Sequence, residues 1–465
     1  MFKIDFNNPI KVHFIGIGGI SMSGLAELLH TIGFSVSGSD AKLSKITNHL
    51  EALGIKVFNG QRGSNITTDI DLVVYTPAVK ADNPEYMEVL SLNLPMIDRA
   101  ELLGQVMGRY SNAIAVSGTH GKTTTTSMLS LVLLEAGLDP TISLGGILDN
   151  IGGNIRIGSS EHFITEACEY TDSYLKFNPT KSIILNVEAE HLDYFKDLET
   201  VRSSFLAFAN KLPEDGLLII NADIKDVTYF TEQIPCKFIS YSTSNNVIPG
   251  ALSHYSAVNV TYDDAGLGHY DLLENGEFAC RIDLNVIGIH NISNSLSVIA
   301  LAKSLGISLE VIKAALLQFT GTERRFQKKG EIGGITIIDD YAHHPTEVTA
   351  TLTAAKNYPH NHVWCVFQPH TYTRMKTFLH EFAQSLSLAD KVVLADIYAA
   401  REVNPGNISS QNLLDELHKL GVEAYYFPSF DEIENFLLEN CTNGDLLITM
   451  GAGDIVTVGE SLLGQ

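Results

Sequence analysis

The sequence predicts an α/β protein of three domains, each built on a mostly parallel sheet with flanking helices. Three observations lead there. A length of 465 residues allows about three units of roughly 150 residues each. Short apolar runs that read as strands alternate with longer segments of helical period, the pattern of strand–helix–strand units. Two glycine-rich turns, at 16–19 and 118–121, each follow a strand and open a helix.

Composition narrows the class. With 45% hydrophobic and 18% charged residues the chain reads as a soluble globular protein. No apolar run approaches the ~20 residues that cross a bilayer, so no membrane insertion is expected. A net charge of −23 repels nucleic acid and anionic membranes, and any phosphate ligand must be held by local devices. The start, "MFKIDFNNPIKVHFIG", lacks a secretion signal. The five cysteines (Cys168, Cys236, Cys280, Cys365 and Cys441) form no CxxC pair. Free thiols in a reducing cytoplasm are therefore expected.

The first block, 1–109, opens with the strand "KVHFIG". A helix follows, with Leu25, Leu28, Leu29 and Ile32 on one face and Gly33 at its end. "FSVSGSD" and "DLVVYTPAV" (71–79) read as the second and third strands. The second block, 110–321, has a strand over Ala113–Val116, a glycine turn, and a helix over Lys122–Ala136 with Met128, Leu129, Val132 and Leu133 as its buried stripe. "HFITEA", "SIILNVE" and "GLLIINAD" are later strands, 236–285 reads as irregular β structure, and "NISNSLSVIALAKSLG" as a helix. The third block, 322–465, has strands at "ITIIDD", "HVWCVFQ", "KVVLADIY", "VEAYYFP" and "DLLITMGAGD". Pro345 falls at a helix's first position. The outer blocks read as Rossmann-like and the central one as a phosphate-loop domain.

"GTHGKTTTT" (118–126) departs from the usual phosphate loop, because the lead glycine due at 116 is Val116. The working parts remain: Gly118, Thr119, His120, Gly121, Lys122, Thr123 and Thr124 between a strand and a helix. Backbone N–H groups at a helix N-terminus receive an anion, the lysine adds a cation and the next hydroxyl serves Mg²⁺. Four consecutive threonines weaken a helix start unless their hydroxyls have a task. Two strands beyond the loop end in acidic groups, at Glu166 and Glu169 and at Glu188, Glu190, His191 and Asp193. Ligands gather at the C-terminal edge of parallel strands, so Thr123, Glu166 and His191 are candidates to share a metal beside a triphosphate. Glu169 and Asp193 read as solvated or supporting groups.

The other loop, Gly16-x-Gly18-Gly19-Ile20-Ser21, has serine where a dinucleotide fingerprint has its third glycine. Asp40 lies about 20 residues on, where a ribose-binding carboxylate belongs. The loop reads as a diphosphate site and is weak support for NAD.

Together "GIGGISMSGLA", "GTHGKTTTT", "TEACEYTDSYL", "NVEAEHLDYF", "GIHNISNSLS", "GTERRFQ", "DDYAHHPTE", "FQPHTYTR" and "ADIYAARE" occur in the order seen in the Mur ligases, which the chain resembles over essentially its whole length. The resemblance implies an ATP-dependent, ADP-forming ligase of peptidoglycan precursor synthesis. Such an enzyme joins an amino acid to a UDP-sugar carboxylate through an acyl phosphate, and here the substrates implied are UDP-N-acetylmuramate and L-alanine. It implies a UDP-sugar domain at 1–109, an ATP domain at 110–321 and an amino-acid domain at 322–465. Gly16, Gly18, Gly19, Ile20, Ser21 and Asp40 would then serve the UDP-sugar, and Gly118 to Thr124 ATP, with Lys122 on the terminal phosphates. Thr123, Glu166 and His191 would serve Mg²⁺. His290 and Asn294 would flank adenine, and Arg324 or Arg325, the latter preferred, would reach the phosphates. Tyr341, His343, His344, His370 and Arg374 would line the amino-acid side, with His343 or His344 as candidates to handle the amine proton.

This chain departs from many relatives at Glu190-His191, where they have Asp-His, and at "EACEY", where they have "EADES". Thr371 stands where some carry arginine, and no carbamoylated lysine is assigned. Competing readings are a ligase adding a recycled tripeptide, a phosphate-loop kinase, and an NAD-binding oxidoreductase or sensor. Monomer and homodimer remain equally open.

Overall fold

The computed structural model describes residues 2–465 except Leu192, Asp193 and Arg401. By internal contacts the chain forms two compact units. The first comprises 1–185, 202–220 and 226–239; the second comprises 186–201, 221–225 and 240–465.

The first unit holds two sheets. In chain order the strands of one are Lys11–Ile15 (β1), Ser35–Asp40 (β2), Lys56–Asn59 (β3), Leu72–Tyr75 (β4) and Met96–Asp98 (β5), ordered β3-β2-β1-β4-β5 and parallel throughout. Helix Ile20–Thr31 (α1) follows β1, and Arg99–Met107 (α2) follows β5. The sequence reading passed over β3, a short strand whose Lys56 and Asn59 are exposed, which removes the apolar alternation by which strands are recognised.

The second sheet of this unit is built from Asn112–Ser117 (β6), Thr141–Leu148 (β7), Gly153–Arg156 (β8), His162–Ala167 (β9), Lys181–Ile184 (β10) and Leu217–Asn221 (β11), ordered β11-β10-β6-β9-β7-β8. Only β8 runs antiparallel to its neighbour. Helix Lys122–Glu135 (α3) follows β6, and every residue from Thr124 to Leu133 in it is buried. The expected apolar stripe is thus the whole circumference, because sheet and neighbouring elements cover the helix on all sides.

In the second unit Lys237–Ser242 (β12), counted here from Ser240, pairs in parallel with His254–Tyr262 (β13), and Leu267–Glu274 (β14) and Glu277–Ile287 (β15) continue antiparallel. The sequence reading expected irregular β structure here, and the strands carry register shifts between Val258 and Thr261 and between Leu267 and His269. The hairpin has a legible cause: Asn275 (φ 55°) and Gly276 (φ 85°) form a two-residue turn with both φ positive, the conformation that matches strand twist. The last sheet contains Gln327–Ile332 (β16), Ile335–Asp340 (β17), Val363–Phe367 (β18), Lys391–Leu394 (β19), Glu423–Tyr426 (β20) and Leu446–Met450 (β21), ordered β16-β17-β21-β18-β19-β20 and parallel except at β16. Both faces are covered: Ile338 and Phe367 pack on one side, Ile337 and Val366 on the other. Such double cover explains why these strands read as unbroken apolar runs. Helices Ile289–Ser304 (α4), Pro345–Ala355 (α5) and Tyr372–Thr377 (α6) also lie in this unit.

One close contact in the first unit admits glycine alone. A Cβ on Gly104 of α2 would lie 2.0 Å from the Lys176 carbonyl oxygen. Asn178 Nδ2 donates to the Gly104 carbonyl at 3.0 Å, and the Lys176 ammonium pairs with Asp98. The two segments therefore cannot separate cheaply. Gly104→Ala should cost about 1–3 kcal/mol and lower the thermal midpoint. Gly108→Ala, with φ −62° and its nearest neighbour at 3.4 Å, should leave the midpoint unchanged or raise it slightly. Melting curves of the two variants check this, and equal midpoints would contradict it.

Candidate functional site

The phosphate loop forms because β6 ends at Ser117 and two glycines then take conformations other residues avoid: Gly118 has φ 146° and Gly121 φ 83°. Gly121 is the N-cap of α3, so Lys122 and Thr123 start its first turn. β6 and β9 pair in parallel with Val116 opposite Glu166, which brings Glu166 to the same sheet edge as the loop. Thr123 Oγ1 donates to Glu166 Oε2 at 2.9 Å, and the Gly145 N–H donates to Glu166 Oε1 at 2.6 Å. A serine/threonine hydroxyl beside a carboxylate at the end of a phosphate loop is an oxygen-rich pair suited to Mg²⁺. Of the other threonines, Thr126 bonds back to the Lys122 carbonyl at 2.7 Å, and Thr125 Oγ1 is buried without a hydrogen-bond partner.

Lys122 Nζ donates to the carbonyls of Gly118 (2.5 Å) and Thr119 (3.0 Å) and to Glu169 Oε2 at 3.0 Å. Burial is the largest effect and works against its charge, but Glu169, Cys168 and Glu166 together outweigh it, and the ammonium is held above its ordinary pKa. Glu169 is 1% exposed. Of the two roles read for it, solvated or supporting, it takes the second. Asp193 lies outside the described residues.

In the 16–21 loop Gly16 has φ 84°, and the N–H groups of Gly16 and Ile17 both donate to the Ser39 carbonyl at 2.9 Å. Asp40 Oδ2 accepts the Gly18 N–H at 2.9 Å. The carboxylate thus braces the loop itself, whatever else it binds. Gly19 caps α1; Ile20 is exposed, and its carbonyl accepts from Asn154 Nδ2 at 2.9 Å. Ser21 Oγ accepts from Arg99 Nη1 at 2.9 Å.

The remaining candidates lie in the second unit. Arg324 is consumed structurally: Nε donates to Asp339 Oδ2 at 2.8 Å, Nη1 to the Gly453 carbonyl at 3.0 Å and Nη2 to the Gly451 carbonyl at 2.8 Å. Arg325 has looser partners, with the Tyr341 ring centroid 5.3 Å from its guanidinium and Glu347 Oε1 at 3.8 Å. It lies close enough to His290 to act on it. Burial and then Arg325 bring His290 down to about 4, against a smaller opposing effect of Glu347. Asn294, one turn further along α4, donates to Asn291 Oδ1 at 3.2 Å.

His343 and His344 part company. His344 is the N-cap of α5, its Nδ1 accepting the Thr346 N–H at 3.4 Å, with its Nε2 3.7 Å from Glu190 Oε2. His343 stands between Tyr341 and His370, ring centroids 5.4 and 5.6 Å away, and Nδ1 contacts the Tyr341 carbonyl at 2.9 Å. Burial lowers His343 to about 4, although Glu347 pulls it upward. Arg374 grips Glu190 Oε1 through Nε (3.1 Å) and Nη2 (2.6 Å), and its Nη1 contacts His370 Nδ1 at 2.9 Å. His370 stacks on Tyr398 at 5.7 Å. Burial pushes the Glu190 carboxyl up; Arg374, helped by His344, His343 and His191, more than offsets this and holds it well below the usual range. Glu188 Oε2 accepts from Thr346 Oγ1 at 2.6 Å. His191 itself sits at φ 54°, a left-handed conformation costly to a residue with a Cβ.

Thr123 and Glu166 thus meet in the first unit, while His191 belongs to the second. The sequence reading assigned no partner to Arg374 and no role to Arg99. Cross-chain ion pairs such as Glu190–Arg374 leave no trace in local spacing.

Three α/β domains, two of them with a glycine loop between a strand and a helix, are the architecture of a ligase class, and the chain belongs to the Mur ligase family. Its family models match as the Mur ligase family catalytic domain (residues 11–111), the Mur ligase middle domain (116–302) and the Mur ligase glutamate ligase domain (324–453). Within it, the UDP-N-acetylmuramate–L-alanine ligase of Lachnoclostridium phytofermentans is 62% identical over the whole of both chains. That of Acetivibrio thermocellus is 49% identical over 99% of this chain and 97% of its own. The crystal structure of the UDP-N-acetylmuramate–alanine ligase of Thermotoga maritima superposes with a TM-score of 0.81 at 30% identity, over 98% of each chain.

Two outcomes test this geometry. Arg324→Ala strands Asp339, which is 0% exposed, and should cost about 3–5 kcal/mol. Arg325→Ala should leave urea stability within about 1 kcal/mol while slowing turnover; the opposite pattern would exchange their roles. The histidines set a pH dependence. A group at about 4 in the folded chain and ~6.5 unfolded gives stability complete above pH 6.5 that is lost as pH falls toward 4, since the unfolded chain protonates first. His290 and His343 act this way. Asp340, raised by burial to about 6, opposes them below pH 6. Urea unfolding should show a net loss of stability from pH 7 to 5, and the double variant His290→Asn, His343→Asn should flatten it.

Proposed function

We infer that this chain catalyses the ATP-dependent joining of L-alanine to the carboxylate of UDP-N-acetylmuramate, forming ADP and phosphate. The choice of substrates is carried by one observation, the 62% identity over full length to a ligase of that name. Structures of murein peptide ligases are more distant than that relative, at 25% identity for the Psychrobacter arcticus protein and 30% over 68% of this chain for the Neisseria meningitides one, so a tripeptide substrate is the weaker reading.

The muramate carboxylate attacks the γ-phosphate of ATP, giving an acyl phosphate and ADP. The alanine amine then attacks the acyl carbon and phosphate departs. Phosphoryl transfer needs positioning and charge neutralisation above all. Gly118 to Thr124 are assigned to the phosphates, where the first turn of α3 offers its N–H groups. Lys122 brings a charge that Glu169 keeps in place. Thr123 and Glu166, with His191, are assigned to Mg²⁺, which would neutralise phosphate charge when bound. The observed Thr123–Glu166 pair fits such an ion. His290 and Asn294 are assigned to the adenine and Arg325 to the phosphates. Gly16 to Ser21, with Asp40 bracing the loop, are assigned to the UDP-sugar.

Tyr341, His343, His370 and Arg374 are assigned to the alanine. His343, at about 4, is neutral near pH 7. It can therefore accept a hydrogen bond from the amine and orient it, while storing its proton poorly. His344 acts through its cap on α5. Among the described residues no helix is long and apolar enough to cross a membrane; a cytoplasmic location is part of the ligase reading and does not rest on that.

The test is phosphate release from ATP. It should require UDP-N-acetylmuramate and L-alanine together, and ¹⁸O in the muramate carboxylate should appear in the phosphate. Lys122→Ala should cut the rate on the order of a hundredfold or more. Release indifferent to alanine, or phosphate free of label, would overturn the assignment.

A further inference from the structure

Arg99 is a cation with one partner. It is the first residue of α2, set there by Asp98, whose side chain caps the helix at Glu101 N–H, 2.9 Å away. A guanidinium carries five N–H donors, and among the described residues the one hydrogen bond made by this group is from Nη1 to Ser21 Oγ. No carboxylate lies within ion-pairing reach of it among the described residues. The side chain is half-buried, enough for burial to lower its affinity for the proton, with Cys168 and Asp98 opposing. Even partial withdrawal of a guanidinium from water favours a counter-charge or anionic partner.

What surrounds Arg99 says what it is for. Ser21 is in the first turn of α1, directly after the glycine loop assigned to the sugar nucleotide. Cys168, near enough to Arg99 to interact with it, falls in sequence between Glu166 and Glu169, the carboxylates that hold Thr123 and Lys122. All are in the first unit. Between the two loops runs the β7–β8 hairpin: Asn154 holds the Ile20 carbonyl, and Gly145 holds Glu166. A molecule with its diphosphate at the 16–21 loop and its acid at the 118–124 loop would pass Arg99.

We propose that Arg99 is a binding residue for the sugar nucleotide, its free guanidinium face taking an anionic oxygen of that ligand beside Ser21. The proposal rests on the ligase reading. The oxygen belongs either to the diphosphate or to the sugar's carboxylate, both of which suit a planar two-pronged donor.

Calorimetric titration with UDP, UDP-N-acetylglucosamine and UDP-N-acetylmuramate separates these sources, since the first two lack the carboxylate. Arg99→Ala should weaken UDP-N-acetylmuramate about tenfold to a hundredfold and leave ATP affinity unchanged. Equal losses for all three ligands place the contact on the diphosphate. A loss confined to the muramate ligand places it on the carboxylate. Arg99→Lys, which keeps the charge and stem, covers the case in which alanine fails to fold; it should recover only part of the affinity. Sugar-nucleotide affinity within twofold of wild type in a folded Arg99 variant overturns the proposal. A wild-type chain that binds no UDP-N-acetylmuramate overturns the ligase reading instead.

Discussion

Lys122 and Glu169 form the ion pair on which the phosphate loop depends. A lysine withdrawn from water at the N-terminal end of α3 is opposed twice, by desolvation and by the positive end of the helix dipole. A carboxylate that is itself 1% exposed answers both. Once that pair is made the ammonium also ties down the carbonyls of Gly118 and Thr119, so one charge closes the turn. The missing lead glycine at Val116 is tolerable for this reason: β6 runs on to Ser117, and Gly118 and Gly121 supply the two unusual conformations the shorter turn needs.

The second unit repeats the device with the signs exchanged. Glu190 is buried and Arg374 comes to it, with His344 alongside and His370 behind the arginine. Here the carboxylate is the group needing support. The network spreads its charge over side chains from three separate stretches of chain, which holds His343 between two aromatic neighbours without giving it a charge of its own. The glutamate at 190 reaches Arg374 Nε and Nη2 through the same Oε1.

Much of this was legible beforehand. The strands β1, β6, β9 and β17 announced themselves because most of their residues are buried, which leaves short runs rich in apolar residues. The glycine loops did so because positive φ restricts residue choice. Pro345 placed the start of α5. The β3 strand escaped notice since an exposed edge needs no apolar pattern, and the β14–β15 hairpin was passed over although Asn275-Gly276 spelled out its turn. Among site residues, Thr123 and Glu166 were readable from the loop and the strand order. The separation of Arg324 from Arg325 was not, for adjacent arginines are identical to any pattern; only Asp339 and the carbonyls of Gly451 and Gly453 distinguish them.

Local sequence dictated the class of fold, the two glycine loops and the family, because each depends on backbone preferences and periodicities within a few residues. Folding in three dimensions decided which charges met. Glu169 with Lys122, Glu190 with Arg374 and Arg99 with Ser21 are joined across 47, 184 and 78 positions, and nothing in the spacing of residues encodes them. Electrostatic pairing in a buried site is a property of distance in space and of excluded water, and both exist only once the sheets have assembled.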